Sequence, residues 1–109
     1  MMPMIRDAAP ARAAAQRLRR SCAGDLRIRI PAPAGVDRRD LEGLAEAVEQ
    51  VLGLHGGGAV LVDQAGRPPA LWCHDGLRCL GADDQEDVRL VLDYCGWAVE
   101  AAALLLVDA

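Results

Sequence analysis

Residues 25–30 alternate strictly, with Leu26, Ile28 and Ile30 on one side and Arg27 and Arg29 on the other. That is the period of a strand covered on one face. Pro31, Pro33 and Gly35 end it. Leu41, Leu44, Ala45, Val48, Val51 and Leu52 then recur at helical spacing, with Asp37 read as the N-cap and Gly53 as the stop. The outer face of this helix carries Glu42, Glu46 and Glu49, which reads as a solvated face rather than a carboxylate site.

Gly56 to Gly58 lead into a short run of small and β-branched residues, Ala59 to Val62, read as a buried central strand. These glycines lie between a helix and a strand, so they do not form a phosphate cradle, which must open a helix. Asp63 to Pro69 turns the chain, Ala70 to His74 is the next strand, and Asp75-Gly76 suits a type I′ hairpin into a further strand ending near Gly81. The last element starts at Asp83, an N-cap with Glu86 at the capping-box position. Val88, Val91, Leu92, Cys95, Ala98, Val99 and Ala102 form one apolar stripe, and Leu90, Tyr94, Trp97 and Ala101 form a second. Period alone does not decide whether 101–107 continues the helix or forms a strand.

The expected fold is α+β: strand, helix, three-stranded antiparallel meander and long C-terminal helix, with the helices on one face of a small sheet. Residues 25–109 form a single domain in this reading. Residues 1–24, rich in Ala and Arg and interrupted by Pro3 and Pro10, read as a loose basic arm or one short helix over Ala11 to Arg20. A transit peptide shares that composition and is the lesser reading.

Composition removes several function classes. Lys, Thr and Asn are absent and Ser21 is the only serine. A Schiff-base lysine, a phosphate-binding Gly-Lys-Ser/Thr loop and a serine triad are thereby excluded. Trp72, Tyr94 and Trp97 are the only aromatics, too few for a base-stacking surface. The net charge of −4 conceals a split: residues 1–39 carry nine Arg against three Asp, and residues 40–109 carry three Arg against thirteen acids. The favoured reading is a basic segment folded back on an acidic body, its own or a second copy's. Four Cys without a regular framework read as free thiols in a reducing, cytoplasmic setting, and no apolar stretch reaches the roughly 18 residues that span a bilayer.

Two chemical alternatives centre on Cys73, His74 and Cys79. Zinc prefers thiolate and imidazole ligands, and Cys95 or Cys22 could complete a set. The hairpin register, however, sends Cys73 and Cys79 to opposite faces. A Cys-His nucleophile pair would use His74 and Cys79, diagonal neighbours roughly 7–8 Å apart. Nucleic-acid contact through Arg17, Arg19, Arg20, Arg27 and Arg29 is the third reading, opposed by the acidic body. Cation recognition by Trp72 or Trp97 is a fourth.

The reading preferred over these is a regulatory or scaffolding protein, not an enzyme, with no cofactor and no metal. It acts through protein contacts as a homodimer, and its interface is expected on Leu90, Tyr94, Trp97, Ala101, Leu104 and Leu105, because a soluble monomer seldom leaves such a patch bare. The helix Leu41 to Leu52, the strand Gly58 to Asp63, the Asp-Gln-Ala-Gly turn and the strand Ala70 to Cys73, followed by a long helix, loosely resemble the start of Roadblock-type domains. That resemblance implies a dimeric regulatory scaffold for small GTPases. The chain departs from the pattern by adding an N-terminal strand and ending before the family's later strands.

Overall fold

In a computed structural model, which describes residues 7–22, 25–54, 59–73 and 84–107, the order is α1 (Ala9–Ser21), β1 (Leu26–Pro31), α2 (Leu41–Val51), β2 (Val60–Asp63), β3 (Ala70–Cys73) and α3 (Gln85–Val107). The fold is α+β, as the pattern predicts, but the sheet is mixed and its order is β2-β1-β3. β1 lies in the middle, parallel to β2 with Ile28 beside Val60, and antiparallel to β3 with Ile28 beside Leu71.

The expected antiparallel meander is therefore corrected: β2 and β3 do not pair. A strand, a helix and a second strand in that order form a βαβ unit, and a crossover helix is what a parallel pairing requires. The connection between β2 and β3 then crosses the end of β1, carrying Gly66 at φ +71° and the stiff pair Pro68-Pro69. Its geometry is fixed by three polar contacts. Asp63 accepts from the Ala65 N–H at 3.2 Å and from Arg67 at 2.8 Å, and Arg29 reaches across from β1 to the Pro68 carbonyl at 3.3 Å. The expectation of a central, buried β2 also fails. β2 is an edge strand among the described residues, and its Leu61 is 48% exposed. The hairpin at Asp75-Gly76, the strand after it and the cap at Asp83 lie outside the described residues.

β1 alternates as its sequence requires, burying Leu26, Ile28 and Ile30 on the helical side and leaving Arg27 and Arg29 half-buried on the other. α2 buries Leu41, Leu44, Ala45 and Val48 against that same side. Asp37 caps only a 3-10 turn, Arg38–Asp40, that leads into α2, and makes no side-chain cap bond. The C-terminus of α2 is a Schellman motif. Gly53 takes the left-handed conformation at φ +69°, its N–H donates to Gln50, the Leu54 N–H donates to Glu49 at 2.8 Å, and Leu54 is buried. Glu49 departs from the solvated face predicted for it, because its Oε1 accepts the Val60 N–H of β2 at 3.0 Å. α3 runs as one helix to Val107, which settles 101–107 as helix. Its inner stripe, Val91, Cys95, Val99 and Ala103, is buried in one core shared by all three helices and the sheet.

Candidate functional site

The N-terminal segment is where the described structure adds most to the sequence reading. Pro10 does not interrupt a helix there but lies in the first turn of α1, where its missing N–H has no partner to lose. α1 buries Ala11, Ala14, Ala15 and Leu18, and its closest helix neighbour is α3. The small alanine face permits close approach of the two backbones.

Four ties fix this helix to the rest of the chain. Arg12 Nε donates to the Val51 carbonyl at 2.8 Å, and Gln16 Nε2 donates to the Leu52 and Gly53 carbonyls at 3.2 and 3.3 Å. These acceptors belong to the C-terminal end of α2, where carbonyls have no partner within the helix. Arg17 forms a two-pronged ion pair with Asp87 in the first turn of α3, at 2.8 and 2.9 Å. Hydrogen bonding to Arg17 lowers the Asp87 pKa below the ordinary carboxylate value, and the same bond raises that of the guanidinium. The fourth tie is covalent: Cys22, at the end of α1, is bonded to Cys73 of β3, with Cα atoms 5.2 Å apart.

This bridge corrects the expectation of free thiols at Cys22 and Cys73. It also removes Cys73 as a thiolate ligand or nucleophile, while His74 and Cys79 lie outside the described residues. Among the described residues no three His, Cys, Asp or Glu side chains gather to hold a metal ion. Cys95 is a free thiol, but burial pushes its pKa up to about 12, so it is unreactive at neutral pH.

The arginines proposed for nucleic acid are divided between surfaces. Arg17, Arg19 and Arg20 lie on α1, on the helical side, with Arg17 engaged by Asp87. Arg27 and Arg29 lie on the opposite face of the sheet. There Arg27 pairs with Asp25 at 3.3 Å, and the Arg29 guanidinium lies 5.9 Å from the Trp72 ring centre. Trp72 thus carries a cation of its own chain.

The residues expected at an interface also divide. Arg17 meets Asp87, while Arg12 and Asp7 both act electrostatically on Tyr94, so α1 and α3 run antiparallel. Tyr94 is only 9% exposed, and burial is the main cause of its raised pKa. It stacks at a tilt on Trp97, ring centres 5.7 Å apart. Leu90 and Trp97 are half-buried against the core, and Ala101 is half-buried. Beyond them α3 continues past the level where α1 begins, and there Leu104 is 56% and Leu105 76% exposed. On the other flank of α3 an open groove of about 610 Å³ runs between Pro69 and the pair Val88 and Leu92, edged by Glu86, Arg89 and Asp93. Arg89 is paired with Glu86 at 3.2 Å, so the groove edge is partly self-neutralised.

The contacts of Arg12, Gln16 and Asp87 are ones that the sequence reading did not foresee, and Glu49 is one that it read as solvated. Arg12 and Gln16 stand one turn apart, the spacing that aims two side chains at one helix end, but nothing in the chain names their acceptors. Among the described residues no helix is long and apolar enough to cross a membrane. Comparison with protein-family models, with curated proteins and with solved structures finds no match, the Roadblock resemblance included, so function is argued from these residues alone.

Proposed function

We propose that the protein is a small regulatory or scaffolding module that acts through protein contacts, with a second copy of itself as the partner. The observation that carries this reading is the exposed end of α3. Leu104 and Leu105 are the most exposed large apolar side chains among the described residues, and they follow Trp97 and Ala101 at helical spacing, so that one apolar strip runs from half-buried to open. Covering such a strip gains roughly 25 cal/mol per Å² of apolar surface, and a Trp at its inner end is a common anchor. Four groups that could serve catalysis are already committed, which favours a regulatory role: Cys73 is bridged, Cys95 is held as a neutral thiol, and Asp63 and Asp87 are bound to arginines.

The reading places the protein in the cytoplasm. Disulfides are rare in that compartment, so the Cys22–Cys73 bridge counts against this placement unless the pair cycles between oxidised and reduced forms. Sedimentation equilibrium tests the partner. The unaltered protein is expected to dimerise at micromolar concentration, and a Leu104→Glu, Leu105→Glu double variant to be monomeric with unchanged helix content. An unaltered protein that stays monomeric throughout that range would refute the proposal.

A further inference from the structure

The proposed contact surface lies on α3, and so does the helix that is covalently held over part of it. α1 rests on α3, its far end is bonded to β3 through Cys22–Cys73, and the stripe it approaches contains Tyr94, the inner neighbour of Trp97. We infer that the Cys22–Cys73 bridge is a redox-operated latch. While closed it keeps α1 on α3; when reduced it lets α1 leave and extends the open apolar strip of α3 from Leu104 and Leu105 inward to Tyr94. The second half of this inference rests on the contact surface proposed above. The first half, the release of α1, does not.

Three observations carry it. First, the apolar face by which α1 is held is small, and its other noncovalent ties, from Arg12, Gln16 and Arg17, are polar. Its buried face is three alanines and Leu18, with Cys22 beyond its end, and alanine contributes little apolar area. The Arg17–Asp87 pair is two-pronged, with the Arg17 side chain half exposed and Asp87 mostly covered, so it is the firmest of the polar ties and the one that salt screens in part. Second, nearly all the large side chains of the shared core come from outside α1, which adds only Leu18 to its alanines. β1, α2, β2 and α3 supply Leu26, Ile28, Ile30, Leu44, Val48, Val60, Val62 and Val91 to it. Third, the bridge joins α1 to the part that stays, spanning a sequence separation of 51, so breaking it frees the helix rather than a local loop.

The chemistry is thiol–disulfide exchange with a small thiol of the glutathione class. Its thiolate attacks one sulfur of the bridge, forming a mixed disulfide and releasing the other sulfur as a thiolate, which takes up a proton. A second small thiol attacks the mixed disulfide. The protein gains two electrons and two protons, and the small thiols leave as their own disulfide. Cys22 is 4% and Cys73 1% exposed, so attack follows a local lifting of the end of α1, and closure requires α1 to have docked. The bond therefore reports the docked state and locks it.

The test is hydrogen exchange followed by mass spectrometry on the full chain, in a Cys79→Ser, Cys95→Ala background, before and after reduction with a phosphine. Amides of Ala9–Ser21 should exchange at least about tenfold faster after reduction, while those of β1 and α3 keep their protection. A Cys22→Ser variant of the same background should reproduce the reduced pattern without reductant. Equal protection of α1 in both states overturns the latch. So does simultaneous loss of protection in α1, β1 and α3, which would make the bridge only a staple for the whole fold. Sedimentation of the same samples separates the two proposals: release of α1 with no change in self-association leaves the release standing, and rules out both the extended strip and a second copy as its occupant.

Discussion

Breaking the Cys22–Cys73 bond lengthens the list of conformations open to the unfolded chain, and the size of that effect follows from the position of the two cysteines. With 51 residues of sequence separation, the chain-entropy relation gives about 4 kcal/mol at 25 °C. A domain of this size has about 5–15 kcal/mol in all, so the bond is a large share of stability. Urea denaturation with and without reductant measures it. At a slope of about 2 kcal/mol per molar urea, the midpoint should fall by about 2 M on reduction. A Cys22→Ala, Cys73→Ala variant should unfold near the reduced protein, because most of the effect belongs to the unfolded state rather than to contacts of the sulfurs. If oxidised and reduced proteins unfold at the same urea concentration, the loop is not closed by this bond in solution, and the reasoning fails at its first step.

Two further outcomes test how α1 is held. Asp87→Asn should lower the urea midpoint at neutral pH. Because the folded pKa of Asp87 lies below its unfolded value near 3.9, the contribution is fully present above that value and is lost as pH falls through the folded pKa, so the difference from the unaltered protein should shrink below about pH 4. A midpoint difference that persists unchanged in acid would assign the effect to packing instead. Leu18, fully buried on α1, should cost about 2–5 kcal/mol when cut to Ala, whereas Leu105→Ser at the exposed end of α3 should change monomer stability by less than about 0.5 kcal/mol. Comparable losses from the two would contradict the burial described here.

The elements were legible wherever burial is one-sided. Leu26, Ile28 and Ile30 against Arg27 and Arg29 could form only a strand covered on one face, and the α2 stripe with Gly53 behind it fixed both the helix and its end. The pairing of strands was not legible in the same way. Val60 and Val62 alternate with Leu61, an apolar residue, so the run from Ala59 to Val62 carries no mark of an edge, and its β-branched character alone pointed to the centre of the sheet. The position follows instead from topology. A helix between β1 and β2 favours the parallel neighbour, and the proline-stiffened connection after Asp63 carries the chain past β1 to its free side.

The charge split was legible, and among the described residues Arg17 meets the acidic body as the favoured reading expects, whereas Arg12 meets a backbone carbonyl. Arg12 lies at the C-terminal end of α2, where the helix dipole suits a cation, and Arg17 at the first turn of α3, where the dipole suits the carboxylate of Asp87 that it pairs with. What the sequence withheld was the relation of Cys22 to Cys73. A pair of cysteines closes only when two elements bring their Cβ atoms together, and here one stands at the end of a helix whose docking face is mostly alanine, a residue equally at home on a solvated arm. The same poverty of large side chains that let residues 1–24 read as a loose arm or one short helix leaves Leu18 as the one large apolar anchor of the docked helix, beside its polar ties and the bond at its end.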